Sequence, residues 1–430
     1  MNARRSAAAL AVSVVLGTAG APAAFADGSP SPKPGAPRGS ALPKALYGAK
    51  DPKFDGVWRQ SLTILAQRSE GVESPAAAVA WLAGQQCADG GFAAYRADTK
   101  APCDPKKGEF TDATAAAVQA LAAAGGRGAA VEKGLGWLKQ HQNKDGGWGL
   151  NPGSPSDANS TAAAIGAFTD AGQDPAKATA RGGKSPYDAL FALQLGCDAK
   201  KDERGAFAYL PEKGELHANG LATTAAALAA TGHGFAVKPA GKDVPVQALS
   251  CEGAKGDDKA PRDRAEGADA AAAYLAATLA ANGQHLTSAL PGQKEQPDVG
   301  GTADAVLALA AGGHRDAATK ALRWLQGKDA DAVAWAKDQP AALAKLVLAT
   351  RAAGGDPQDF AGTDLLRELN ATGPAAPSPS ATPGESQREK EKKNDNKDDG
   401  GFGVWWIVGI GAVAGIGIGF LLSGRKKQQL

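Results

Sequence analysis

The chain has 430 residues, 56 of them glycine, with 6% aromatic residues and a formal net charge of +2. That charge balance excludes a strong electrostatic partner such as nucleic acid. Residues 1–26 read as a secretory signal peptide: Arg4 and Arg5, an apolar run from Ala7 to Gly17, and Ala24-Phe25-Ala26 before the expected cut at Asp27. Residues 27–44 are a Pro/Gly/Ser-rich flexible arm, and 45–370 form the folded part. Residues 371–402 begin Pro/Ala/Ser-rich and become highly charged, a composition that cannot bury a core and predicts a disordered linker. Residues 403–422 are uncharged and mostly apolar, enough for about 30 Å of helix, and predict one transmembrane helix. Trp405 and Trp406 suit its outer interface, and Arg425, Lys426 and Lys427 make 423–430 a cytoplasmic tail. The expected product is a single-pass cell-surface protein with its folded part outside. Its four cysteines, Cys87, Cys103, Cys197 and Cys251, would then meet an oxidising compartment. Three pairings are possible; Cys87–Cys103 with Cys197–Cys251 is favoured, because each bridge would staple one long irregular loop.

One pattern occurs twice in the folded part. W-L-A-G-Q-Q-C-A-D-G-G-F runs from Trp81 to Phe92, and W-L-K-Q-H-Q-N-K-D-G-G-W from Trp137 to Trp148, 56 residues later. A long fixed period marks a repeat architecture. Reading back 15 residues from a glycine aligns five further segments: Phe110 to Gly125, Asp157 to Gly172, His217 to Gly232, Asp298 to Gly313 and Gln339 to Gly354. Asp, Asn and Thr at their starts suit helix N-caps, and the glycine suits C′. Alanine between them favours helix and close helix approach. These predict inner helices, with Val57 to Gln67 as one more. Outer helices are expected near Ala76–Gln86, Val131–Gln142, Tyr187–Leu195, Asp269–Ala281 and Asp316–Gln326. No strand is expected.

The pattern W-L-x-x-x-Q-x-x-D-G-G-[FW] resembles the repeat of the prenyltransferase and squalene/terpene cyclase superfamily. The resemblance implies an all-α fold, an α/α toroid of about five to six helical hairpins around a central cavity. It implies structural roles for Trp81, Gln86, Asp89, Phe92, Trp137, Gln142, Asp145 and Trp148: the glutamines brace helix ends, the rings of Phe92 and Trp148 pack on neighbouring backbone, and the aspartates cap the next turn. The D-x-D-D, D-D-x-x-D and zinc-ligand patterns of its enzymes are absent, so no catalytic or metal-binding residue is assigned. The non-catalytic branch, resembling secreted cobalamin carriers, implies binding without a resident cofactor, with a corrinoid or an isoprenoid-like molecule as ligand.

The aligned helix starts supply the candidate ligand-binding residues: Asp112, Thr114, Asp157, Asn159, Thr161, His217, Asn219, Asp298 and Thr302. Helix N-termini gathered on one rim offer N–H groups and positive dipole ends. The expectation is a membrane-anchored toroid that holds a small ligand or a partner at the cell surface, beside a membrane importer. An extracellular prenyltransferase- or cyclase-like enzyme and a structural surface module stay open as alternatives.

Overall fold

The computed structural model describes residues 42–103, 108–252, 263–288 and 295–374. Glycine sets the helix ends. Gly125, Gly172, Gly232, Gly313 and Gly354 all carry φ between 74° and 80°, the left-handed turn predicted past each inner helix. The helices they close are α3 (Thr111–Ala124), α5 (Ala158–Asp170), α7 (Gly220–Ala230), α9 (Val299–Ala311) and α12 (Pro340–Ala352), joined by α1 (Gly56–Ser69). Their buried faces are dominated by alanine, with Val, Leu and Ile between. Small side chains let these helices approach closely, so each can touch two others.

Contacts among these six helices form a circuit. Helix α1 packs on α3, α3 on α5, α5 on α7, α7 on α9, α9 on α12, and α12 returns to α1. The remaining helices lie outside: α2 (Ala76–Gly84) against α1 and α3, α4 (Gly128–Gln140) against α3 and α5, and α6 (Pro186–Phe191) on α5. Helix α8 (Arg264–Ala281) contacts α7 and α9, α10 (Arg315–Leu325) contacts α9, and α11 (Ala332–Ala336) contacts α12. Helix α13 (Leu365–Ala371), unforeseen in the sequence, covers the α12–α1 junction. The chain is thus mostly helical, with thirteen α-helices among the described residues.

The junction is held by polar contacts between chain segments far apart in sequence. The Gln67 side-chain amide donates to Tyr47 Oη at 2.9 Å and to Asn370 Oδ1 at 2.7 Å. The Gly48 N–H donates to the Thr372 carbonyl at 2.9 Å, so ordered packing runs past the expected end at 370. Tyr47 is fully buried.

The expectation of no strand needs correction. A short antiparallel pair forms from β1 (Leu286–Ser288) and β2 (Gln296–Asp298), with Leu286 opposite Asp298. Three-residue strands are too short to show alternation. Both predicted disulfides are present, Cys87–Cys103 and Cys197–Cys251. No helix among the described residues is long and apolar enough to cross a membrane. The expected signal peptide, most of the arm and linker, the segment 403–422 and the tail lie outside the described residues.

Candidate functional site

One hydrogen-bonding unit recurs at the start of the inner helices. The Thr114 hydroxyl accepts from the Phe92 N–H at 2.9 Å, Thr161 from Trp148 at 3.1 Å, Thr223 from Phe207 at 2.9 Å and Thr302 from Leu286 at 2.9 Å. The carbonyls of Phe92, Trp148 and Phe207 accept in turn from the backbone N–H of Phe110, Asp157 and Asn219, the residues before α3, α5 and α7. Two residues further on, the carbonyls of Ala94, Leu150 and Tyr209 accept from Val57, Thr111 and Ala158 at the start of the preceding inner helix. Each loop therefore satisfies N–H groups that a helix start leaves without partners. The N-termini of α1, α3 and α5 are stitched along one rim.

The repeat glutamines act on the other side of the same loop. The Gln86 amide donates to the carbonyls of Gly90 (3.0 Å) and Ala130 (2.8 Å), and Gln142 to those of Gly146 and Ala178 (both 2.7 Å). Gln194 does the same with Gly205 (3.1 Å) and Gly267 (2.8 Å). Asp89 and Asp145 accept from the N–H of Gly91 (3.2 Å) and Gly147 (3.0 Å), capping the turn. Gly90, Gly146 and Gly205 have positive φ, and a Cβ on any of them would strike the backbone carbonyl of the next outer segment. The third copy escaped the sequence pattern because of an insertion. Gln86 pairs with Phe92 six residues later, whereas Gln194 pairs with Phe207 thirteen residues later.

Inside the circuit is a cavity of about 410 Å³, lined by residues of all six inner helices. Asp112, Asp157 and Asn159 line it near the rim, with Leu150, Tyr209 and Leu221, which keep 40%, 38% and 45% of their surface exposed. Deeper in, Asp304 and Lys345 form an ion pair at 2.7 Å. The segment after α7 folds back into the ring. The Phe235 N–H donates to Gln119 Oε1 at 3.0 Å, and the Phe235 ring meets Trp58 of α1 edge-on at 5.6 Å. Gly166 admits this segment, since a Cβ there would lie 3.1 Å from the Gly234 Cα.

Burial sets the protonation of the lining. It raises Asp112, opposed by the Ala113 N–H and reinforced by Asp157. It raises Asp157 as well, opposed by hydrogen bonds from Ser160. Asp304 is raised by burial and pulled back by Lys345. Tyr209, which lines the cavity with Asp112 and Asp157, is raised by burial and by the charges of those two residues.

The nine candidate residues therefore divide. Asp112, Asp157 and Asn159 reach the central cavity. Thr114, Thr161 and Thr302 are fully buried and spend their hydroxyls on the loop clamps. Asp157, Asn219 and Asp298 cap α5, α7 and α9 through the N–H of Ser160, Ala222 and Gly301. Asn219 also borders a smaller cavity of about 290 Å³ beside Tyr274 and Leu286. His217 is exposed and lines neither cavity. It shared a register with the other starts only because helices were aligned on their terminal glycines. Helix α7 has 11 residues where α5 and α9 have 13, so its cap falls two positions later, at Asn219. The same shift hid Thr223, the fourth clamp. Sequence reasoning also missed Trp58, Tyr209, Phe235, Asp304 and Lys345, which carry no repeat signature.

A separate buried carboxyl lies at the first repeat. The Trp137 indole N–H donates to Glu109 Oε2 at 2.7 Å. Burial, with a hydrogen bond and repulsion from Asp89, raises Glu109 to about 7. Glu109 also sits beside Cys87 and Cys103, whose sulfurs are committed to their disulfide and offer no thiolate to a metal.

No family model matches the sequence, and no curated protein matches it. Among solved structures, the ent-copalyl diphosphate synthase from Streptomyces platensis is similar at 19% identity and a TM-score of 0.45, over 70% of this chain and 50% of that one. A protein from Actinoplanes is similar at 18% identity and a TM-score of 0.42, over 72% of this chain and 94% of that one. The chain thus spans half the length of the synthase. These likenesses are to helical architecture and do not bear on the site.

Proposed function

We propose that the folded part is an α/α toroid of the prenyltransferase and squalene-cyclase kind that holds a small, largely apolar molecule in its central cavity without transforming it. The single observation that carries this reading is the cavity itself, about 410 Å³ in volume and lined by every inner helix. That volume falls within the range of about 300–1,000 Å³ typical of small-molecule sites and is small for a corrinoid with its nucleotide arm. Leu and Ala are the commonest residues of its walls, joined by polar side chains such as Asp112, Gln119, Asn159, Asp304 and Lys345 that are suited to orienting a ligand. Export and anchoring, expected from 1–26 and 403–422, belong to the same proposal; two disulfides are compatible with an oxidising compartment. The test is native mass spectrometry of the full-length protein against a panel of small amphiphiles. Ala163→Trp projects a large ring into the cavity and is expected to abolish retention. Retention unchanged in that variant would place the ligand elsewhere and end the reading.

A second reading rests on one observation, the placement of Asp112 and Asp157, whose carboxyls burial raises, on the wall of the cavity. Burial shifts these carboxyls towards the form that can donate a proton, so acid-catalysed chemistry on an alkene is the enzymatic alternative. Product appearing from an isoprenoid substrate, and vanishing in Asp112→Asn, would establish it over simple binding.

A further inference from the structure

Resting on the reading of the cavity as a ligand site, we propose that its ligand is an organic cation, a small amine or quaternary ammonium carrying an apolar tail. The rings of Trp58, Tyr209 and Phe235 line the cavity. Trp58 and Phe235 meet edge-on at 81°, with centroids 5.6 Å apart, and both border the same space. Aromatic faces attract cations through their quadrupole, most strongly where water is excluded.

The charge inventory points the same way. The lining carries three carboxyls, Asp112, Asp157 and Asp304, against one ammonium, Lys345. Lys345 is already committed to Asp304 at 2.7 Å. Asp112 and Asp157 have no basic partner among the described residues; their partners are the Ala113 and Ser160 N–H groups and the Ser160 hydroxyl. His233, which also lines the cavity, is held towards its neutral form by burial. An anionic head such as a diphosphate would meet the Asp112 and Asp157 carboxyls and, among the described residues that line the cavity, no free cation. Helix N-termini ordinarily favour anions, but here the Thr111 and Ala158 N–H groups are taken by the carbonyls of Leu150 and Tyr209, and that of Ser160 by Asp157. An ammonium at the mouth would sit between the Asp112–Asp157 pair and the Tyr209 ring, with its tail among Leu62, Leu307 and Leu348.

The experiment compares three probes of one chain length on the full-length protein by titration calorimetry: octyltrimethylammonium, octanol and octanoate. The ammonium is expected to bind at least about tenfold more tightly than the alcohol, and octanoate more weakly than either. In Asp112→Asn/Asp157→Asn, which keeps side-chain shape and a competent cap at 157, the ammonium-to-alcohol ratio should fall towards one. Tyr209→Leu should lower the same ratio severalfold. Octanol or octanoate binding as tightly as the ammonium, or a double variant that keeps the full preference, overturns the cation while leaving the cavity a ligand site. Failure of all three probes to bind overturns both readings together.

Discussion

The side chain of Gln142 shows how much structure one residue can hold. Its amide spans two carbonyls, Gly146 in its own loop and Ala178 ahead of the next outer helix. Gln142→Ala leaves both without their donor, and a cost of about 1–3 kcal/mol is expected. Urea unfolding measures it; a loss near zero would mean that water replaces the amide. Glu109 yields a prediction of opposite sign. Its folded pKa, about 7, lies above the ordinary carboxylate range. The folded state therefore holds its proton more tightly than the unfolded chain. Stability from this group is full at low pH and declines as pH rises through about 7. Glu109→Gln, which can still accept from the Trp137 indole, should raise the melting temperature at pH 8 by about 2–4 °C and change it little at pH 5. Equal shifts at both pH values would contradict the assignment.

At the level of elements, the segment after α7 turns a ring into a vessel. Phe235 crosses from α7 to Trp58 of α1. Because Phe235 is only half-buried, Phe235→Ala should cost about 1–3 kcal/mol, less than removal of a fully buried ring. It should also lengthen the tail that the cavity accepts, which a homologous series of probes would read as an optimum displaced to longer chains. The regular parts of the fold were legible because glycine and alanine report on backbone directly. A glycine past each inner helix marks where only positive φ can end it, and five of these were found without any alignment to relatives. The irregular parts were not legible. Nothing in H-G-F at His233 to Phe235 distinguishes a plug from a surface loop. The insertion between Gln194 and Phe207 broke the spacing that exposed the first two repeats. At the cavity, Asp112, Asp157 and Asn159 were found because caps recur. Asp304 and Lys345 were not, since mid-helix charges on an Ala-rich segment read as solvated until the ring closes around them.

For the whole molecule, the two disulfides fix different stretches of chain. Cys87–Cys103 spans 16 residues and Cys197–Cys251 spans 54. Chain-entropy estimates give about 3 kcal/mol for the first and about 4 kcal/mol for the second. Replacing each pair with alanine should therefore destabilise in that order, as read from denaturation midpoints; equal losses would show that local packing outweighs chain constraint. The return of α12 to α1 has a wider consequence. An open solenoid can gain or lose a unit at either end, because its terminal units need only a polar cap. A closed circuit has no terminus to extend. One hairpin more or fewer would change the circumference and bring Tyr47, Gln67 and Asn370 out of reach of each other. Copy number is thereby frozen, and length variation is left to the turns, which is where this chain carries its long excursions after Gln194 and Gly232.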